Sequence, residues 1–280
     1  MVRSFVLVAA VCAMVVVTCG PVPAATAPPS GTSGYFTWIT PSPPVTCTED
    51  RATSSLVYQS SGRSYSATLF RPTGGGPFPA MLVLHSGNGL TGQEFAYGRW
   101  LADHGYVALM PDYFLAVGIG ALHPDPVALP WGRIREDLAR AVDCLRAMPS
   151  VTKSRVGAVG FSLGGYFALA LGTRDDVQAV VSYSTGIGPP VPNEPDAYPG
   201  LAAKMRASVL LLEGGDEPGA ATIRALQASL TAEGKRSDLV SYPGAGHVFN
   251  FSGPDFPGYD ASATADAQAR TLAFLQTALR

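Results

Sequence analysis

The sequence predicts an α/β domain, a mostly parallel central sheet with helices on both faces, and three observations carry that prediction. Short apolar runs alternate with amphipathic stretches of helical length along most of the chain. Several of those runs, such as AMLVLH at 80–85, are apolar without interruption, as in strands buried on both faces. The chain has 280 residues, 47% of them hydrophobic, enough for one domain with a sizeable core.

The elements follow in order. Residues 55–59 and 64–71 read as an antiparallel hairpin turning at Ser61-Gly62. After the strand at 80–85, residues 92–104 fit a helix that Gly105 stops. Residues 106–110 form the next buried strand. The stretch 133–148 is a helix with Ile134, Leu138, Ala141, Val142 and Leu145 on one face. A strand at 155–161, a small-residue helix at 163–172 and strands at 177–183 and 207–213 come next. A helix at 220–233, a last strand at 237–242 and a closing helix at 262–279 complete the pattern. Right-handed crossovers between parallel strands place the strand-end loops along one edge, where ligands bind.

The N-terminus reads differently. Arg3 precedes an apolar run from Phe5 to Val17, shorter than the roughly 20 residues of a membrane span and suited to a signal peptide. Three endings stay open: cleavage after Ala24 or Ala25, lipidation at Cys19, by which a membrane would be a partner, or an uncleaved anchor. Residues 1–25 are therefore expected to be a signal peptide, 26–50 a Pro/Ser/Thr-rich arm, and 51–280 the folded domain, exported or held as a lipoprotein. Cys47 and Cys144 are then the two cysteines of the mature domain, and an oxidising compartment permits a disulfide between them. Two cysteines without a histidine cluster make no case for a metal, and nothing calls for a cofactor. A net charge of −2 lacks the basic footprint of a nucleic-acid binder.

The strongest chemical signal is Gly160-Phe161-Ser162-Leu163-Gly164-Gly165, which follows a strand and opens a helix. In that context G-x-S-x-G is a tight turn that lifts a serine hydroxyl clear of the sheet edge. The amide of Leu163, at the positive end of the helix, faces the same space. A serine needs a base, and His247, in SYPGAGHVF after the last strand, is the candidate among four histidines. The base needs an acid to fix its tautomer. Asp216, after the strand SVLLLEGG, is the choice over its neighbours Glu213 and Glu217. The loop His85-Ser86-Gly87-Asn88-Gly89 should supply a second oxyanion donor, the amide of Gly87. Ser86, Tyr113, Phe114 and Phe249 are candidates for the substrate pocket, and residues 115–131 form either a rim or lid or a plain connection.

These segments together resemble the dienelactone hydrolase family of the α/β-hydrolase superfamily. The resemblance runs from about residue 55 to the C-terminus, through VLHSGNGL, GYVALMPDYF, DLARAVDCLRAMP, GFSLGG, LLEGGDE, YPGAGHVF and the final PGYD…TLAFL segment. It implies an α/β-hydrolase fold and hydrolysis of small esters or lactones through a covalent acyl-enzyme. Two departures stand out: the family typically carries cysteine where this chain has Ser162, and the acid often found in the loop after the first central strand is replaced by Ser86 or its neighbours. Both favour a general carboxylesterase over the namesake activity. The rival readings are a catalytically silent binding protein on the same fold, or a peptidase or polyester hydrolase.

Overall fold

The computed structural model describes residues 46–50, 54–120, 125, 129–185, 199–215, 217 and 219–280. The expected signal peptide, Cys19 and most of the arm lie outside them, as do Asp216 and part of the 115–131 segment. Nine strands form one sheet in the order β1-β2-β3-β5-β4-β6-β7-β8-β9. The first three, β1 (Cys47–Asp50), β2 (Ser55–Ser60) and β3 (Arg63–Phe70), run antiparallel, and β3 pairs antiparallel with β5 (Val107–Pro111). From β5 the sheet is parallel through β4 (Phe78–Leu84), β6 (Val151–Phe161), β7 (Ala179–Tyr183), β8 (Ser208–Gly214) and β9 (Ser237–Tyr242).

The continuous apolar runs have the expected cause, because both faces of the sheet are covered. In β4, Ala80, Leu82 and Leu84 enter one core, while Met81 and Val83 enter the other. The first core takes in α3 (Trp131–Ala147), α4 (Leu163–Leu171) and α6 (Ala220–Ala232); the second takes in α1 (Gly92–Asp103) and α7 (Ala261–Ala278). Two short helices that the sequence pattern does not predict, α2 (Tyr113–Ala116) and α5 (Pro199–Lys204), follow β5 and precede β8.

The sheet begins at Cys47, ahead of the expected start of the folded domain at residue 51. Cys-Thr-Glu-Asp has little strand character, but β1 pairs along its length with β2, and Cys47 is bonded to Cys144 of α3 with the Cα atoms 5.8 Å apart. The bridge closes a sequence separation of 97 residues and pins the antiparallel edge to the helical layer.

The chain leaves β4 for β5 on one side, and the next parallel strand, β6, pairs on the other side of β4. The loop after β4 and the turn after β6 therefore lie side by side where the strand order reverses, the usual place for a ligand site in an open parallel sheet.

Candidate active site

Ser162 sits between β6 and α4 with φ 52° and ψ −113°. For a residue other than glycine this is a costly conformation, and one that clusters at functional sites. The amide of Ser162 donates to Tyr183 O of β7 (2.9 Å), which fixes the turn against the sheet. The neighbouring glycines are needed for close approach. A Cβ at Gly160 would run into the Gly164 carbonyl, and one at Gly164 would run into the carbonyls of Leu84 and His85. The start of α4 thus lies directly on the loop after β4. Leu163 opens α4, so its amide is among those that no intrahelical carbonyl can satisfy.

The loop after β4 is held from inside the protein. His85 is fully buried, and its Nδ1–H donates to Ser86 O (2.7 Å), which also accepts from the Gly89 amide (3.1 Å). Both donors draw the Ser86 carbonyl one way. In a trans peptide the following N–H, that of Gly87, points the other way. Burial lowers the His85 pKa to about 4, so the ring is neutral at neutral pH. It stacks on Tyr113 (centroids 3.6 Å apart), whose hydroxyl donates to His85 O (2.6 Å). Glu94 of α1, with no exposed surface, accepts from the amides of Ser86 (3.2 Å) and Thr91 (2.9 Å) and closes a capping box at the helix start. Its burial raises its pKa despite those donors.

His247 follows β9 on a turn tied to α1 and to the segment before α7. Gln93 donates to Ser252 O (2.6 Å), and Gly246 N–H donates to Gly258 O (3.0 Å). Gly246 and Gly258 press together so closely that a Cβ on either would meet the other's backbone. His247 Nε2 stands 2.8 Å from Ser162 Oγ, and its Nδ1 stands 2.7 Å from Glu217 Oε2. The Glu217 side chain is buried, whereas 44% of the His247 side chain stays exposed, as a group open to a substrate must be.

Among the described residues, Glu217 is therefore the carboxylate that meets His247. Asp216 itself lies outside the described residues. The cause is the turn after β8: the Gly214 amide (2.7 Å) and the Ser184 hydroxyl (2.6 Å) hold Glu217 Oε1, leaving Oε2 facing the imidazole. Glu213, the other rival, points away. Its Oε1 accepts from the Thr185 amide (3.1 Å), and its Oε2 is buried without a hydrogen bond. Burial first, then the neighbouring Glu217 charge, pushes the Glu213 pKa well above the usual carboxylate range.

The pocket candidates are corrected by burial. Phe249 has no exposed surface and packs on Tyr183 and Tyr242. Tyr113 and Phe114 are 1% and 4% exposed and pack around His85, where they support the loop from below. The Ser86 hydroxyl is occupied by the Asn88 amide (3.2 Å). Sequence reasoning missed Ser184 and Glu94. Glu94 left a signal in the Thr91-x-x-Glu94 capping pattern; Ser184 left none. Among the described residues, no group of three or more His, Cys, Asp or Glu side chains comes together to hold a metal ion.

Known proteins resemble this chain in sequence and in fold. The model of the dienelactone hydrolase family matches residues 65–279. A Methylorubrum extorquens protein provisionally named a carboxymethylenebutenolidase is 31% identical over 212 residues, covering 71% of this chain and 72% of its own. A Synechocystis protein of the same provisional name is 25% identical over 248 residues, covering 83% and 100%. Among solved structures, a provisionally assigned dienelactone hydrolase from Klebsiella pneumoniae has a TM-score of 0.69 at 23% identity and covers 83% of this chain and 98% of its own. A dienelactone hydrolase-like promiscuous phosphotriesterase from metagenomic libraries has a TM-score of 0.67 at 23% identity, covering 85% and 100%.

Proposed function

The chain belongs to the dienelactone hydrolase family, and from that membership and the relay Ser162–His247–Glu217 we propose that it is a serine hydrolase of small to medium carboxylic esters or lactones. The observation that carries the reading is the pair of hydrogen bonds on one imidazole, 2.8 Å to a strained serine and 2.7 Å to a buried carboxylate. Glu217 holds Nδ1–H and leaves the Nε2 lone pair on the Ser162 hydroxyl.

In the first half-reaction His247 takes the Ser162 proton as Oγ attacks the ester carbonyl. The carbonyl oxygen becomes an oxyanion, to which the Leu163 and Gly87 amides donate. The tetrahedral adduct then expels the alcohol, which leaves with the proton from His247. In the second half-reaction water gives a proton to His247 and attacks the acyl-enzyme, and Ser162 recovers its proton as the acid departs. The cycle needs no redox partner and no metal-activated water.

We further propose that the enzyme works outside the cytoplasm. The leader and the Cys47–Cys144 bridge support this together, since such a bridge persists in oxidising compartments.

The test is hydrolysis of p-nitrophenyl acetate, butyrate and octanoate by residues 28–280, beside Ser162→Ala, with labelling by a fluorophosphonate. We expect turnover on the short chains, and loss of labelling together with a fall of kcat on the order of 10⁴-fold or more in the variant. Folded protein that neither turns over nor labels would move the weight to a binding role. Cleavage of peptide anilides but not esters would make it a peptidase.

A further inference from the structure

The serine at the tip of β7 belongs to no part of the relay as usually drawn, yet it touches two of its supports. Ser184 has no exposed surface, and its Oγ makes two hydrogen bonds. The Val248 amide donates to it (2.9 Å), and Ser184 Oγ donates to Glu217 Oε1 (2.6 Å). The directions are fixed by valence. An amide N–H can only donate, so the hydroxyl's single proton is left for the carboxylate. One hydroxyl thereby ties the acid to the residue next to the base.

The backbone supports the same conclusion. Among the described residues, five other than glycine have positive φ; Ser54 and Ser61 flank β2. The other three are Ser162 (52°), Ser184 (52°) and Val248 (48°), and they meet at the relay. A β-branched residue such as Val248 is especially ill suited to that region. Such strain persists only where the surroundings enforce it. At Val248 the enforcing contact is the bond to Ser184 Oγ. At Ser184 it is a main-chain bond from its own amide to Leu212 O of β8 (2.8 Å).

We propose that Ser184 is a positioning residue of the active site: its hydroxyl clamps Glu217 and the His247 turn together, so that Oε2 and Nδ1 stay aligned through turnover. The proposal rests on the serine-hydrolase reading for its effect on rate, but the alignment itself can be observed without turnover.

The experiment compares Ser184→Ala and Ser184→Gly in the full folded domain. Glycine removes the hydroxyl while accepting the left-handed backbone without strain, so it separates the loss of the clamp from a loss of fold. Two readouts are taken: the steady-state constants, and the proton resonance of His247 Nδ1–H, which is shifted downfield by its bond to Glu217. A hydrogen bond to a charged group has a strength equivalent to about 10- to 100-fold in rate. We expect kcat to fall by that factor in the alanine and glycine variants with KM little changed. The Nδ1–H resonance should move upfield or broaden in both. Unchanged kcat and an unchanged resonance in the folded glycine variant would overturn the proposal. If the wild-type protein hydrolyses no ester, the serine-hydrolase reading fails by itself, and the resonance alone still decides whether Ser184 holds the Glu217–His247 pair.

Discussion

Around Ser162 the reacting group is aimed by main chain against main chain, whereas around His247 it is aimed by side chains. Both regions use glycines at close approach: Gly160 and Gly164 in the first, Gly246 and Gly258 in the second. They differ in what fixes the functional atom. The turn at Ser162 is set by its own φ and ψ, by the pressure of α4 on the loop after β4, and by a main-chain bond to Tyr183. The imidazole of His247 is set by Glu217, which is set in turn by Ser184 and the Gly214 amide. Main-chain geometry of the first kind needs glycine at fixed offsets and so leaves a pattern in the sequence. A hydroxyl meeting a carboxylate from 33 residues away leaves none.

The largest effect should come from cutting the side-chain relay at its acid. We expect Glu217→Gln to lower kcat on the order of 10⁴-fold with the fold intact, because the neutral amide neither holds Nδ1–H as firmly nor stabilises the imidazolium. Asp216→Asn should stay close to wild type in the same ester assay. The reverse ranking would restore Asp216 as the acid and break the account of the turn after β8.

That contrast shows where the sequence was legible. The parallel strands, the main helices and the G-x-S-x-G turn were readable because hydrophobic period and glycine spacing are properties of the chain alone. Choosing among Glu213, Asp216 and Glu217 was not, because three carboxylates within five positions differ only in where a tight turn points them. Phe249 and Tyr113 misled for a related reason. An aromatic residue beside a site residue suggests a pocket, but both are buried in the layers that hold the site up. β1 escaped notice because its pairing partner and the Cys144 bridge impose extended structure on a stretch with little intrinsic preference for it.

The main-chain half can be tested with a single methyl group. In Gly164→Ala the new Cβ meets the carbonyl oxygens of Leu84 and His85, which belong to the backbone and cannot rotate away. We expect a loss of about 3 kcal/mol in stability from overpacking. In whatever folds, kcat should fall on the order of 10²-fold, as expected when an oxyanion donor is displaced. Gly132→Ala in α3 is the control, since nothing lies within 4 Å of its Cβ, and it should leave both quantities near wild type or slightly raise stability. Thermal unfolding and the ester assay on the same preparations read both. Equal behaviour of the two alanine variants would mean that the contact between α4 and the loop after β4 does not constrain the site.

The smallest effect separates the two carboxyls on the side-chain half. Glu217 sits among three donors, while Glu213 has Thr185 and a bare buried oxygen beside the Glu217 charge. Burial and that charge raise the folded pKa of Glu213 well above its unfolded value, so the folded protein keeps a proton there that the unfolded chain releases. The sign follows from linkage. The stability from this group is fully present below the unfolded pKa, about 4.3, and is lost as pH rises through the folded value. Glu213→Gln supplies the neutral shape permanently. Its urea midpoint should therefore match wild type near a pH of about 4.5 and exceed it by a margin that widens toward alkaline pH, with little change in kcat at neutral pH. Midpoints that run parallel from about pH 5 to about pH 9 would mean that Glu213 is ionised in the folded protein as it is in the unfolded chain. Two carboxylate charges would then stand side by side behind His247, and burial would not be what keeps Glu213 apart from the relay.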